Sequence, residues 1–121
     1  GTGYALYQAG RCKDAADVFQ ILCLYDPYVA RHWLGLAGSL ERLGKCAQAS
    51  IAYRMLLGIE PQNVDALVHG AEMELASGSG KSARDLVEQA RRLIEAKPVR
   101  DSVRARFAAV DGAIAAKEAV R

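Results

Sequence analysis

A period of 34 residues runs through this sequence and constrains its fold more than any other feature. The residues that recur at this interval are glycine at Gly10, Gly44 and Gly78, alanine at Ala15, Ala49 and Ala83, a bulky residue at Phe19, Tyr53 and Val87, and proline at Pro27 and Pro61. Repeats of this length are supersecondary units that bury their apolar faces by stacking on one another. We therefore expect a short stack of repeats that share one continuous core.

The recurring residues have mechanical roles in a pair of packed helices. Glycine ends the first helix of each pair, because a left-handed backbone turn costs least without a Cβ. Alanine lets the second helix approach the first closely, and the bulky residue four positions later fills the gap between them. Proline stops the second helix. A helix-turn-helix repeat of 34 residues with these features is the tetratricopeptide (TPR) repeat.

The sequence thus predicts an all-α fold, a TPR superhelix of three helix-turn-helix repeats plus a C-terminal capping helix. We place the repeats at about 1–27, 28–61 and 62–97 of a single domain, and the capping helix at about 98–121. The predicted helices cover about 1–9, 14–24, 29–43, 47–59, 64–77 and 82–96, with the last one running from Pro98 to about 120.

The last predicted helix has an apolar stripe on one side. Its members, spaced by four, three and four residues, are Val103, Phe107, Val110 and Ile114. We expect this stripe to pack on the exposed side of the third repeat, because a terminal repeat needs a cap. The charged residues expected to face water are Arg100, Arg104, Asp111 and Lys117.

Charge and hydropathy exclude several classes of partner. Sixteen basic and fourteen acidic residues leave a formal charge of +2, so neither a nucleic acid nor another polyanion is expected as a ligand. Apolar runs are far shorter than the roughly 20 residues that cross a bilayer, so no membrane association is expected. With no secretion signal at its start, the protein is predicted to be cytoplasmic. Because the chain starts at Gly1 inside a predicted helix, we expect it to be a fragment that lacks an upstream segment.

The chemically reactive residues do not form a recognisable catalytic or metal site. Gly80-Lys81-Ser82 matches only the end of a phosphate-binding loop, and we interpret it as a turn in which Ser82 caps the next helix. His32 and His69 have no nucleophile and acid at catalytic spacing. The three cysteines include no CxxC pair. The sequence therefore predicts a protein that is not an enzyme and has no cofactor and no metal.

The repeat register indicates which side chains face the concave side of the superhelix. The predicted groove is apolar and aromatic with a few charged edges, and its residues are Tyr4, Tyr7, Arg31, Leu34, Gly38, Glu41, Val68 and Glu72, with Asp65 and Leu75 beside them. Such a surface fits an apolar peptide better than a charged peptide terminus. An alternative for Tyr4 and Tyr7 is that they pack on the missing upstream helix.

Beyond the TPR pattern, the chain resembles the class II chaperones of bacterial type III secretion, the SycD/LcrH/IpgC family. The residues that carry the resemblance are Tyr7-Gln8-Ala9-Gly10-Arg11, Asp14-Ala15, Val18-Phe19-Gln20, Leu22-Cys23, Asp26, Arg31-His32-Trp33-Leu34-Gly35-Leu36 and His69-Gly70-Ala71-Glu72. The Phe19-Gln20, Leu22-Cys23 and Leu34-Gly35-Leu36 matches are more specific than the general TPR positions.

The resemblance implies a bacterial, cytoplasmic chaperone of pore-forming translocators. Such a chaperone binds a short, proline-containing segment near the translocator's N-terminus in its concave groove and keeps this cargo soluble until export. Tyr4 and Tyr7 would line pockets for apolar anchors, Leu34, Gly38 and Val68 would form the floor, and Glu41 and Glu72 would hold polar backbone groups. Family members also use an upstream segment, absent here, to form homodimers. A generic TPR scaffold between two folded proteins is the alternative.

Overall fold

The computed structural model describes residues 1–120, which form seven helices and no strand. The helices are α1 (Thr2–Gln8), α2 (Cys12–Tyr25), α3 (Ala30–Arg42), α4 (Cys46–Ile59), α5 (Val64–Ala76), α6 (Gly80–Ala96) and α7 (Asp101–Ala119). The prediction of an all-α, TPR-type fold is confirmed. None of these helices combines the length and the apolar content needed to span a membrane.

The glycines at the 34-residue interval form three matching helix ends. Gly10, Gly44 and Gly78 have positive φ angles of 79°, 75° and 92°, and within residues 1–120 only these three do. At each end the glycine N–H donates to the carbonyl of the residue three positions earlier. The N–H of the next residue donates to the carbonyl five positions before that residue, and the N···O distances are 2.8–3.1 Å. This pair of bonds is the Schellman motif, which satisfies carbonyls left open at a helix end. It turns the chain sharply after α1, α3 and α5.

Close packing between the helices depends on the other recurring residues. Ala15, Ala49 and Ala83 are fully buried. Four positions further on, the three bulky side chains are at most 3% exposed. The Phe19 ring fits between α1 and α3, because Gly3 and Gly35 have no side chain where the ring lies. The roles predicted for these residues are therefore the ones they have.

Two clusters of buried side chains make up the interior. The first contains residues of α2, α3 and α4 with Ala66 and Met73 of α5, and the second contains residues of α5, α6 and α7. Leu57 of α4 packs against both clusters. Each helix from α1 to α6 packs on the next helix in the chain. The repeat boundaries proposed from the sequence are compatible with this order and remain an interpretation.

The last helix packs on the third pair through the predicted stripe. Val103, Val110 and Ile114 of α7 are buried, and Phe107 is partly buried against the second cluster. The expectation that Asp111 faces water is wrong, because its Oδ1 accepts hydrogen bonds from Arg84 at 3.0 Å and Arg91 at 2.8 Å. Burial alone would raise the pKa of Asp111, but these two arginines hold it below its usual range.

The turn before α6 differs from the prediction. Helix α6 begins at Gly80, so Ser82 lies inside its first turn instead of capping it. Ser79 occupies the N-cap position, and its side chain makes no capping hydrogen bond. The Gly80-Lys81-Ser82 segment is thus the start of a helix.

Candidate peptide-binding groove

The first helices of the three pairs line an open pocket of about 330 Å³. It is formed by residues of α1, α3 and α5 with one residue of α4: Tyr4, Tyr7, Leu34, Gly35, Gly38, Tyr53, Asp65 and His69. Four residues predicted for the groove, Tyr4, Tyr7, Leu34 and Gly38, therefore lie together. Asp65, which the register placed beside them, also lines this pocket.

The two tyrosines of α1 are held by partners within the chain. Tyr4 packs edge-on against Phe19 with ring centroids 5.0 Å apart, and its hydroxyl donates to the Arg31 carbonyl at 3.3 Å. Burial raises the pKa of the Tyr4 phenol. The Arg42 guanidinium lies over the Tyr7 ring at 4.5 Å, a cation–π distance. Both rings therefore present fixed apolar surface to the pocket.

The floor of the pocket is open because α3 carries small or exposed side chains there. Leu34 is 42% exposed although it is a large apolar residue. At Gly38 a Cβ would lie 3.6 Å from the Tyr7 hydroxyl, an ordinary contact distance, so its absence leaves space rather than relieving a clash. The pocket can therefore receive an apolar side chain from outside.

Glu41 is the centre of a hydrogen-bond network at the edge of this pocket. Its Oε1 accepts from the Tyr53 hydroxyl at 2.8 Å and pairs with His69 Nδ1 at 3.0 Å, while its Oε2 accepts from Arg106 Nη2 at 3.0 Å. Because a carboxylate only accepts, His69 carries a hydrogen on Nδ1. Burial would raise the pKa of Glu41, but the bonds from His69 and Tyr53 and the charge of Arg106 lower it. Burial and the Glu41 charge raise the pKa of Tyr53.

Glu72 is occupied in the same way. Both of its oxygens accept hydrogen bonds from Arg106 of α7, through Nε and Nη2. The resemblance implied that Glu41 and Glu72 hold backbone groups of a peptide. In the structure both carboxylates already accept hydrogen bonds from other side chains of the protein, so neither is free to hold a peptide backbone group.

Two other predicted groove residues lie elsewhere. Val68 is 1% exposed and belongs to the second buried cluster, which joins α5 to α6 and α7, so it is part of the core and does not form the floor of the groove. Arg31 is exposed and lines a separate pocket of about 490 Å³ between the start of α1, α2 and α3. Neither side chain lines the pocket between Tyr4 and His69.

Tyr53 and Arg106 border the groove although the repeat register did not predict them there. Tyr53 was predicted only as a packing residue, and its ring does fill the interior while its hydroxyl reaches Glu41. Arg106 was overlooked because α7 was treated as a cap. Arg106 follows Glu72 by 34 residues, so extending the repeat interval into α7 would have found it.

The structure adds no chemical centre to this site. Among residues 1–120, no group of three or more His, Cys, Asp or Glu residues is placed to bind a metal. His32 pairs through Nδ1 with the Asp26 carbonyl at 3.2 Å, away from the groove. The site therefore consists of apolar surface bordered by polar groups that are paired with one another.

The fold defines a helical-repeat protein of the tetratricopeptide type, and its known relatives narrow the class. No protein-family model matches the chain. Low calcium response locus protein H of Yersinia pseudotuberculosis serotype I (strain IP32953) is 34% identical over 94 residues, which are 76% of this chain and 55% of that protein. The chain thus spans about half the length of this curated relative.

Solved structures match nearly the whole chain. PcrH, a Pseudomonas aeruginosa protein crystallised in complex with the chaperone binding region of PopD, is 33% identical, with 97% of this chain and 88% of that chain covered at a TM-score of 0.84. The Yersinia enterocolitica type III secretion chaperone SycD, in complex with a peptide of the translocator YopD, is 29% identical, with coverage of 97% and 89% and a TM-score of 0.85. The chain belongs to the family of type III secretion translocator chaperones, which are not enzymes.

Proposed function

We propose that this chain is a bacterial, cytoplasmic chaperone that binds a short N-terminal segment of a translocator in its groove and keeps this cargo soluble until export. The observation that carries the proposal is the open pocket in which Tyr4, Tyr7, Leu34 and Gly38 meet. In a water-soluble fold, apolar surface collected in a concave site is typical of a binding site. The complexes of PcrH with the chaperone binding region of PopD and of SycD with a YopD peptide support this choice of ligand.

The ligand that this groove fits is an extended peptide with apolar anchors. A proline-containing segment is already close to an extended conformation and loses little entropy when it is ordered. Two or three buried anchors contribute about 1.5–3 kcal/mol each, against roughly several kcal/mol for association and ordering. Modest affinity follows, which suits a cargo that is later released.

The polar edge of the pocket sets a limit on the ligand. Oε1 of Glu41 accepts from both Tyr53 and His69, and Oε2 accepts from Arg106. A basic anchor that bonded to Oε1 would have to displace Tyr53 or His69 and leave that side chain without its hydrogen bond. An apolar side chain can enter between Tyr7 and Leu34 without breaking the network, so we expect apolar anchors to be selected.

The test is a calorimetric titration with synthetic peptides that tile the chaperone binding region of PopD and the SycD-binding peptide of YopD. Leu34→Ser removes apolar surface from the groove, and Leu24→Ser is its matched control, because Leu24 is 78% exposed on α2 outside the pocket. We expect one proline-containing peptide to bind the unchanged chain saturably. Its affinity for Leu34→Ser should be lower by about tenfold or more, and its affinity for Leu24→Ser should be unchanged. The Tyr4→Ala, Tyr7→Ala double variant should lose binding.

Two results would count against the proposal. If the folded, helical protein binds no tiled peptide, the generic scaffold between folded proteins becomes the better account. If Leu34→Ser and Leu24→Ser weaken binding equally, the peptide does not use this pocket.

A further inference from the structure

Helix α7 continues the lining of the groove in repeat register. The residues that lie 34 positions apart form two rows across the concave face: Tyr4, Gly38, Glu72 and Arg106 in one, and Tyr7, Glu41, Leu75 and Ala109 in the other. Tyr4, Tyr7 and Gly38 line the pocket of about 330 Å³, here called the first pocket, and Glu41 lies at its polar edge. The members on α5 and α7 line another pocket of about 310 Å³, here called the second pocket, together with Ala76, Val110 and Ala113. The capping helix therefore occupies the place of a further groove helix.

Arg106 stands between the two pockets. It borders the second pocket, and through Glu41 it is linked to Tyr53 and His69, which line the first. Its carboxylate partners lie on two different helices, Glu41 on α3 and Glu72 on α5, although α7 as a whole packs on α5 and α6. The guanidinium is thus held by carboxylates of two successive groove helices.

One end of this guanidinium remains available to a ligand. Nε and Nη2 make the hydrogen bonds to Glu41 and Glu72, and among the described residues Nη1 makes none. The side chain is 39% exposed. Burial would lower the pKa of Arg106, but the two carboxylates raise it, so the group stays charged. A planar donor fixed by two acceptors loses little freedom when it makes a further bond.

We propose that Arg106 is a specificity-determining residue that donates from Nη1 to a main-chain carbonyl of the bound peptide, between the anchors held by the two pockets. This inference rests on the proposed function, since the ligand is the same extended peptide. An extended segment presents an unpaired carbonyl at every residue, and a donor at a fixed point selects which one lies there. Arg106 thereby fixes the register in which the anchors enter the two pockets.

The test combines a backbone scan of the peptide with a change in the donor. In the PopD or YopD peptide that binds, each peptide bond is replaced in turn by an (E)-alkene, which keeps the extended shape and removes the carbonyl together with the N–H. Because arginine only donates hydrogen bonds, a loss that depends on Arg106 is assigned to the carbonyl. The proteins compared are the unchanged chain, Arg106→Lys, and the control Arg104→Lys, an exposed arginine two residues away on the same helix. Lysine keeps the charge but has no planar fork with which to serve two carboxylates and a third acceptor.

We expect one peptide bond at which the alkene weakens binding to the unchanged chain about tenfold or more, the range for a hydrogen bond to a charged group. In Arg106→Lys the unmodified peptide should bind about tenfold more weakly, and the loss at that bond should fall below about twofold. Arg104→Lys should behave like the unchanged chain.

Two outcomes would overturn the inference. One is a scan of the unchanged chain in which no single bond stands out, a result that does not depend on how any variant folds. The other is a scan in which the alkene at each peptide bond weakens binding to Arg106→Lys by the same factor as binding to the unchanged chain. Either leaves the proposed function intact as long as the unmodified peptide binds. If no unmodified peptide binds, the proposed function fails and this inference fails with it.

Discussion

The Phe19 ring occupies the space into which a side chain at Gly35 would point. A Cβ built on Gly35 would lie 2.2 Å from Cε1 of Phe19, far inside contact distance. Three residues further along α3, a Cβ on Gly38 would lie 3.6 Å from the Tyr7 hydroxyl. Two glycines of one helix thus have different roles, since Gly35 admits a core side chain from α2 and Gly38 opens the groove.

Alanine substitution at these two glycines should separate the roles. Gly35→Ala should destabilise the fold by about 2 kcal/mol, the cost of overpacking a dense core. Gly38→Ala should be neutral or stabilise it by up to about 1 kcal/mol, because alanine is the better helix former. Urea unfolding followed by circular dichroism measures both. Equal effects on the free energy of unfolding would contradict the packing described for Phe19.

Glu41 should make the stability of the fold depend on acid pH. Its pKa lies below the ordinary 4.5 in the folded protein, so its contribution is present above pH 4.5 and is lost as pH falls through the folded value. Glu41→Gln should therefore cost about 2 kcal/mol at neutral pH, and the difference from the unchanged chain should shrink below pH 4.5. Urea titrations between pH 7 and pH 3 would show this.

The control for Glu41 is Glu95→Gln on α6, where the carboxylate is exposed. Its unfolding free energy should follow that of the unchanged chain across the same pH range. A constant difference between Glu41→Gln and the unchanged chain at all pH values would mean that the substitution acts through packing and not through the carboxylate charge.

The three cysteines should differ in reactivity. Cys23 is 4% exposed, and burial raises the pKa of its thiol to about 11, so little thiolate forms at pH 8. Cys12 and Cys46 are partly exposed. Labelling with a thiol reagent at pH 8 should give two fast sites and a third that reacts only as the chain unfolds, which mass spectrometry of the labelled peptides can assign. Rapid labelling of Cys23 in the folded protein would contradict its place in the core.

The sequence predicted the architecture well because the repeat positions have local causes. A glycine with positive φ or an alanine between two helices is required by backbone and packing geometry within one repeat, as Gly44 and Ala49 show. The groove was predicted in part, since Tyr4 and Leu34 follow from the register alone. Val68 was misplaced because it is buried in the cluster shared by α5, α6 and α7, and the pattern of a single repeat does not contain how these helices dock.

The polar side of the groove could not be predicted for a related reason. The partners of Glu41 come from three other helices, through Tyr53, His69 and Arg106, at sequence separations of 12, 28 and 65 residues. A register of repeats shows which side chains face inward but not which of them pair. The resemblance implied that Glu41 holds a backbone group of the peptide, and the repeat pattern does not reveal that side chains of the chain itself bond to it.

Site-specific photo-crosslinking tests the central claim, that a translocator peptide lies against the concave face, most directly. One variant carries the photoreactive p-benzoylphenylalanine at Leu34 in the groove, and the control carries it at Leu24 on the outer side of α2. Each is irradiated with a labelled form of the PopD or YopD peptide that binds. We predict a crosslink from position 34 that unlabelled peptide suppresses, and none above background from position 24. Crosslinking from position 24 and not from position 34 would contradict the account.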